Sequence, residues 1–163
     1  MIRVPSFAWL GILSVTSQEE PRVQKTEYPR EVSLTIPILQ DMEVTATQTA
    51  EAVLRFMEFS NDQIDEVKHA LIESCINAFE HSASQEGQVY IRFLMYEAHV
   101  QVIVQDFGQG FAPDSVEKPE LSKKLGGDHK RGWGLMMMES LMDEVEILSG
   151  PQGTRITMTK QRN

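Results

Sequence analysis

Between Asn61 and His81 apolar residues recur at helical spacing (Ile64, Val67, Leu71, Cys75, Ala78), and Ile72, Ile76 and Phe79 widen the face they form. A helix with so broad an apolar face must be buried against both a sheet and another helix. The flanking segments supply both. Arg30 to Pro37 alternates apolar and polar side chains, which describes a half-buried strand ending at its proline. Met42 to Phe59 reads as a helix, and Asn61 or Asp62 as the N-cap of the next. Beyond the turn residues Ser84 to Gly87, the runs Val89 to Tyr96 and His99 to Gln105 read as strands joined at Glu97-Ala98.

Phe107 to Arg131 keeps no period and reads as a long loop, a feature that is usually functional inside a compact domain. Gly134 to Met142 returns to helical spacing. Glu144 to Leu148 and Thr154 to Thr159 form a last hairpin across Ser149 to Gly153. The fold class expected is α/β in the α+β sense. It is a two-layer sandwich whose mixed, mostly antiparallel sheet is covered on one face by helices.

A chain of 163 residues makes about one domain. Glu19-Glu20-Pro21 and Tyr28-Pro29 punctuate the start, so residues 1–27 read as a poorly ordered extension and 28–163 as the single domain. A net charge of -9 argues against nucleic-acid and anionic-membrane partners, both of which reward basic surfaces. The apolar run Phe7 to Val15 is too short to span a bilayer and has no clean cleavage site after it. The lone Cys75, inside a helix, neither staples the fold nor marks a metal site, which fits a reducing cytoplasm.

Four places can carry chemistry. Glu73 and Asn77 lie one helical turn apart and point the same way. A carboxylate there can take a proton from a hydroxyl, and the neutral amide can ligate Mg2+ without cancelling its charge. Taken alone, the pair reads as a solvated stripe with Asp62, Glu66 and Glu80. Asp106 ends a strand and is followed by Gly108 and Gly110. Such a carboxylate can accept a hydrogen bond from an exocyclic amine, with glycines permitting close backbone approach; a glycine-rich turn has the same signature.

Arg131-Gly132-Trp133-Gly134-Leu135 sits where glycine-rich chain becomes helix, and free N–H groups plus the helix dipole make such a junction a phosphate site. Lys118, Lys123, Lys124, Lys130 and Arg131 concentrate positive charge just before it in an otherwise acidic chain. The same charges also describe a solvated loop. Met136, Met137, Met138 and Met142 suit a core or a partner surface. Gly153-Thr154 places a hydroxyl at the start of the last strand, as many hairpins do.

The order of these motifs is specific. Glu-x3-Asn on a helix, Asp-x-Gly-x-Gly after a strand, a long basic loop, Gly-x-Gly opening a helix and a late Gly-Thr resemble the GHKL ATPase superfamily with its Bergerat ATP-binding fold, over about residues 28–160. Ile72 to Ala78, Arg131 to Leu135 and Leu141 to Val145 are most similar to the anti-sigma-factor serine/threonine kinases of bacterial partner-switching systems. The resemblance implies Glu73 as general base, Asn77 as Mg2+ ligand and Asp106 as adenine contact. It further implies Gly108 and Gly110 beside the base, Gly132 and Gly134 on the phosphates, and Thr154 as a water-mediated adenine contact.

It also implies ATP and Mg2+ as cofactors and transfer of the γ-phosphate to a Ser or Thr of a small STAS-domain anti-anti-sigma protein. Sequestration of a sigma factor and homodimer formation belong to the same implication. The chain departs from the family at residues 1–27 and at Trp133, which is bulkier than expected inside Gly-x-Gly.

Two other functions compete. One is an ATP-gated module that captures a regulator and transfers little phosphate, for which Asp106 and the glycines matter and Glu73 does not. The other is a detached piece of a histidine kinase. It is disfavoured because no helical dimerisation segment with a phosphoacceptor His precedes the domain and His69 lies in the pocket helix itself.

Overall fold

A computed structural model describes residues 29–81, 87–108 and 130–163. The extension 1–27, Gly110 and the basic stretch through Lys124 lie outside the described residues. Strand β1 (Arg30–Pro37) leads through helices α1 (Glu43–Phe56) and α2 (Asn61–His81) into the hairpin β2 (Gln88–Met95) and β3 (His99–Asp106). Helix α3 (Lys130–Leu141) then precedes the hairpin β4 (Glu144–Gly150) and β5 (Gly153–Gln161).

Three helix boundaries differ from the sequence reading, the first two for local reasons. Helix α1 stops at Phe56 instead of Phe59 because Glu58 takes φ 61°, and its N–H and that of Phe59 turn back to the Arg55 and Leu54 carbonyls. This is a Schellman closure made without the glycine that ordinarily signals it. Helix α2 is capped by Ser60, not by Asn61 or Asp62. The Ser60 Oγ accepts from the Gln63 N–H while Gln63 Oε1 accepts from the Ser60 N–H, both at 3.3 Å. That is the reciprocal capping box. Helix α3 begins at Lys130, four residues before Gly134.

The five strands run in the order β1-β2-β3-β5-β4, and all four pairings are antiparallel. A mixed, mostly antiparallel sheet is the sequence expectation. The connection through α3 does return β4 parallel to β3, but the β5 hairpin arm inserts between them, so no parallel pair forms. Period-two alternation puts Val89, Ile91, Phe93 and Met95 of β2 and Val100, Val102 and Val104 of β3 on the buried side. There they meet Leu54 of α1 and Val67, Leu71 and Cys75 of α2, all fully buried. Each such large aliphatic or aromatic side chain contributes roughly 1.5–3 kcal/mol when removed from water.

The opposite sheet face is polar. There Arg92 of β2 clamps Glu31 of β1 through two bonds of 2.7 and 2.8 Å. Among the described residues, no helix is long and apolar enough to cross a membrane.

Buried polar residues interrupt the buried rungs where β3 meets β5. At one end Lys160 is buried and donates to the Leu141 carbonyl at 2.8 Å while pairing with Glu66 at 2.7 Å. At the other end lie Asp106 and Thr154.

Candidate active site

Helix α2 presents two faces because 3.6 residues make a turn. Leu71, Ser74, Cys75 and Ala78 go into the core, whereas Glu73, Asn77 and Glu80 border a cavity of about 900 Å³ between α2 and α3. Ile76 and the α3 residues Trp133, Gly134, Met136, Met137 and Ser140 complete its lining. Cys75 is buried, which pushes its thiol up to about 12 and leaves it inert.

The Glu73 carboxyl is raised above its ordinary value. Burial is the larger cause and the nearby charge of Glu80 the smaller. Glu73 also touches Gly134 so closely that a Cβ added to the glycine would overlap its Oε1. The Asn77 amide is poised differently: its Nδ2 is buried and has no hydrogen-bond partner. An unmet buried donor costs about 1–3 kcal/mol, so this amide is available to a water or ligand in either cavity it borders.

Asn77 also borders a second, far smaller cavity of about 10 Å³ with Ser74, Ala78, Val104, Asp106, Thr154 and Ile156. A space of that size suits one water molecule, and the polar groups around it can hold one. Asp106 and Thr154 are register partners across β3 and β5, and both are buried. The Asp106 Oδ1 accepts the Gly108 N–H at 2.8 Å, while the Thr154 and Ser149 hydroxyls share a 2.8 Å bond. Gly153, at φ +114°, keeps the β5 start against the backbone of Asp106 and Phe107, where any Cβ would collide.

The sequence-derived residues therefore fall on two cavities that share Asn77: Asp106 and Thr154 line the smaller one with Gly108 bonded to Asp106, and Glu73 and Gly134 line the larger. Gly132 and Arg131 lie in the first turn of α3, among the residues whose N–H groups a helix leaves unbonded. Gly134 differs, because a helix that starts at Lys130 uses the Gly134 N–H internally. Trp133 is half-exposed on the cavity wall, and Leu135 packs against the core instead of lining the cavity.

The methionines of α3 and just beyond it divide, with Met138 and Met142, the residue following the helix, buried and Met136 and Met137 exposed along the cavity. Glu80 was grouped by sequence with a solvated stripe, yet it borders the cavity while Glu66 of that stripe pairs with Lys160. Its position three residues beyond Asn77 is the signal that could have found it. Ser149 had no such signal, since only the β4–β5 register sets it opposite Thr154.

A cleft with a polar floor, an unsatisfied amide midway, an ionisable carboxylate at the far side and a helix start alongside can hold an elongated anionic ligand at one end and take a proton at the other. These residues fit a nucleotide and a divalent cation. The amide oxygen of Asn77 is a hard donor of the kind Mg2+ takes, and its Nδ2 can serve a phosphate oxygen.

Comparison with known proteins converges on the same chemistry. A family model described as a histidine kinase-like ATPase domain matches residues 37–160. A serine-protein kinase RsbW from Bacillus velezensis is 35% identical over 121 residues, spanning 71% of this chain and 75% of that protein. Its Halalkalibacterium halodurans namesake is 26% identical over 140 residues, spanning 83% and 86%. Among solved structures, the RsbU and RsbW domains of a Mycobacterium tuberculosis protein align with a TM-score of 0.62 at 22% identity, over 82% of this chain and 32% of that longer one. That likeness concerns the fold.

Proposed function

The chain belongs to the histidine kinase-like ATPase domain family, and from that premise we propose that it is a protein serine/threonine kinase and anti-sigma factor of a bacterial partner-switching system. Its substrate is a Ser or Thr hydroxyl on a STAS-domain anti-anti-sigma protein. It acts in the cytoplasm as a homodimer and also holds a sigma factor.

The observation that carries the reading is the place of Asn77 on the walls of both cavities, between Asp106 and Glu73. That order suits an elongated ligand such as a nucleotide. The Asp106 carboxylate takes the exocyclic amine of adenine, and Thr154 reaches the ring through the water that the small cavity suits. Asn77 holds Mg2+ and phosphate oxygens, and the free N–H groups of the first α3 turn cap the phosphates. ATP supplies the phosphoryl group, and Mg2+ neutralises its charge. Glu73 would accept the proton of the incoming hydroxyl as that oxygen bonds to the γ-phosphorus and the bond from phosphorus to the bridging oxygen breaks, releasing ADP. Its raised pKa makes it a stronger base than an exposed carboxylate. Phosphoryl transfer depends mainly on positioning and charge, so this inventory is sufficient.

The test is labelling of STAS proteins encoded nearby with γ-labelled ATP and magnesium, by wild type and by Glu73→Ala. Label on a Ser or Thr with wild type alone is expected. Nucleotide binding without any label would instead favour the ATP-gated binding module.

A further inference from the structure

We propose that Gly134 is a positioning residue for the Glu73 carboxylate, its missing side chain letting α3 seat directly on Glu73 and hold it in the cavity. The catalytic meaning rests on Glu73 being the base; the contact itself does not. Of the atoms nearest to a Cβ built at Gly134, all three belong to the Glu73 side chain, with Cδ at 2.6 Å and Cγ at 2.9 Å. No backbone atom is among them. Glycine is a poor helix former, so one inside α3 calls for a reason of packing or ligand contact.

Ligand contact through its amide is closed off, because that N–H is used within the helix. The seating is also fixed in register. One turn beyond Gly134, Met138 is fully buried, and the hydroxyl of Ser74, the neighbour of Glu73, lies 3.5 Å from its sulfur. Met142 follows it into the core. With α3 anchored at Met138 and, just past its end, at Met142, it cannot slide to relieve crowding at Gly134, and an added methyl must move the carboxylate.

The experiment is a thermal-melting cycle on the full chain with Gly134→Ala, Glu73→Ala and the double variant, joined to kinetics with the labelled partner. With Glu73 present, Gly134→Ala gains less Tm than the better helix propensity of alanine alone would give, because the carboxylate must swing aside. In the Glu73→Ala background the same change raises Tm, because alanine is the better helix former and the space is now open. Equal shifts in both backgrounds would overturn the contact. If Gly134→Ala alone fails to fold, folding of the double variant supports the proposal and its failure refutes it.

In kinetics Gly134→Ala lowers kcat, on the order of 10²-fold for a carboxylate displaced by about 1 Å, with KM for ATP little changed. Glu73→Asp, which withdraws the carboxylate by one methylene, recovers part of that loss in the Gly134→Ala background. A raised KM with unchanged kcat would mean that Gly134 serves the phosphates and not the base. A wild type that labels no partner defeats the kinase reading while the melting cycle still decides the contact.

Discussion

Asp106 and Thr154 face each other across β3 and β5 on the helix side of the sheet, both buried, at the rung where the hydrophobic ladder Val102–Val104 and Ile156–Met158 gives out. A buried carboxylate in that place is costly unless it is hydrogen-bonded. Asp106→Asn keeps an oxygen for the Gly108 N–H but turns the other end from acceptor to donor, facing an amine that is itself a donor. Losing a charged hydrogen bond is worth about 1.5–3 kcal/mol, so ATP affinity falls roughly 10- to 100-fold. Isothermal calorimetry reads this directly, and an unchanged affinity would remove Asp106 from the base site.

Glu73→Gln keeps the shape of the side chain and deletes the proposed base. Labelling of the partner drops by a factor on the order of 10² to 10⁴, while nucleotide affinity changes little. Stability moves the other way. The folded carboxylate is held above its ordinary value, so its ionised form destabilises the fold at neutral pH. Glu73→Gln therefore raises Tm at pH 7, and the gain fades as pH falls through the raised value, where Glu73 itself becomes neutral. A Tm gain that is the same at pH 7 and pH 4 contradicts the burial of this charge.

Glu80 is the second cause of that raised value. The rate of phosphoryl transfer rises with pH as Glu73 ionises, with a midpoint above the ordinary 4.5. In Glu80→Gln the midpoint moves down yet stays above the ordinary value, because burial, the larger cause, remains. The pH–rate profiles of the two proteins supply the check.

Gly153→Ala meets the Asp106 carbonyl and places a side chain at φ +114°. Strain of this kind costs about 1–3 kcal/mol, and since it falls on the backbone carrying Asp106, nucleotide affinity drops together with stability. Gly87, at φ +58° with open space around it, is the control: Gly87→Ala costs less and leaves affinity alone. Urea denaturation with parallel calorimetry separates the two.

Ser60→Ala removes the α2 cap and costs about 0.5–2 kcal/mol, measurable by denaturation, with no loss of nucleotide affinity at Asp106. No change in stability would return the cap to Asn61 or Asp62.

Periodicity and turn chemistry are short-range properties, and they were legible residue by residue. The alternation in β1, β2 and β3, the broad apolar face of α2, the Glu97-Ala98 hairpin and the spacing of Glu73 and Asn77 can all be read along the chain. Three kinds of information were not there to be read. Helix ends that close without glycine, as at Glu58, leave no compositional mark. Strand register, which pairs Asp106 with Thr154 and Thr154 with Ser149, joins positions 48 and 5 apart through hydrogen bonds that no local pattern specifies. The seating of α3 depends on Met138 entering the core, and that alone brings Gly134 onto Glu73, 61 residues away in the chain. Local propensity selects the elements and the chemistry they carry. Burial of distant surfaces against one another selects which of those side chains meet.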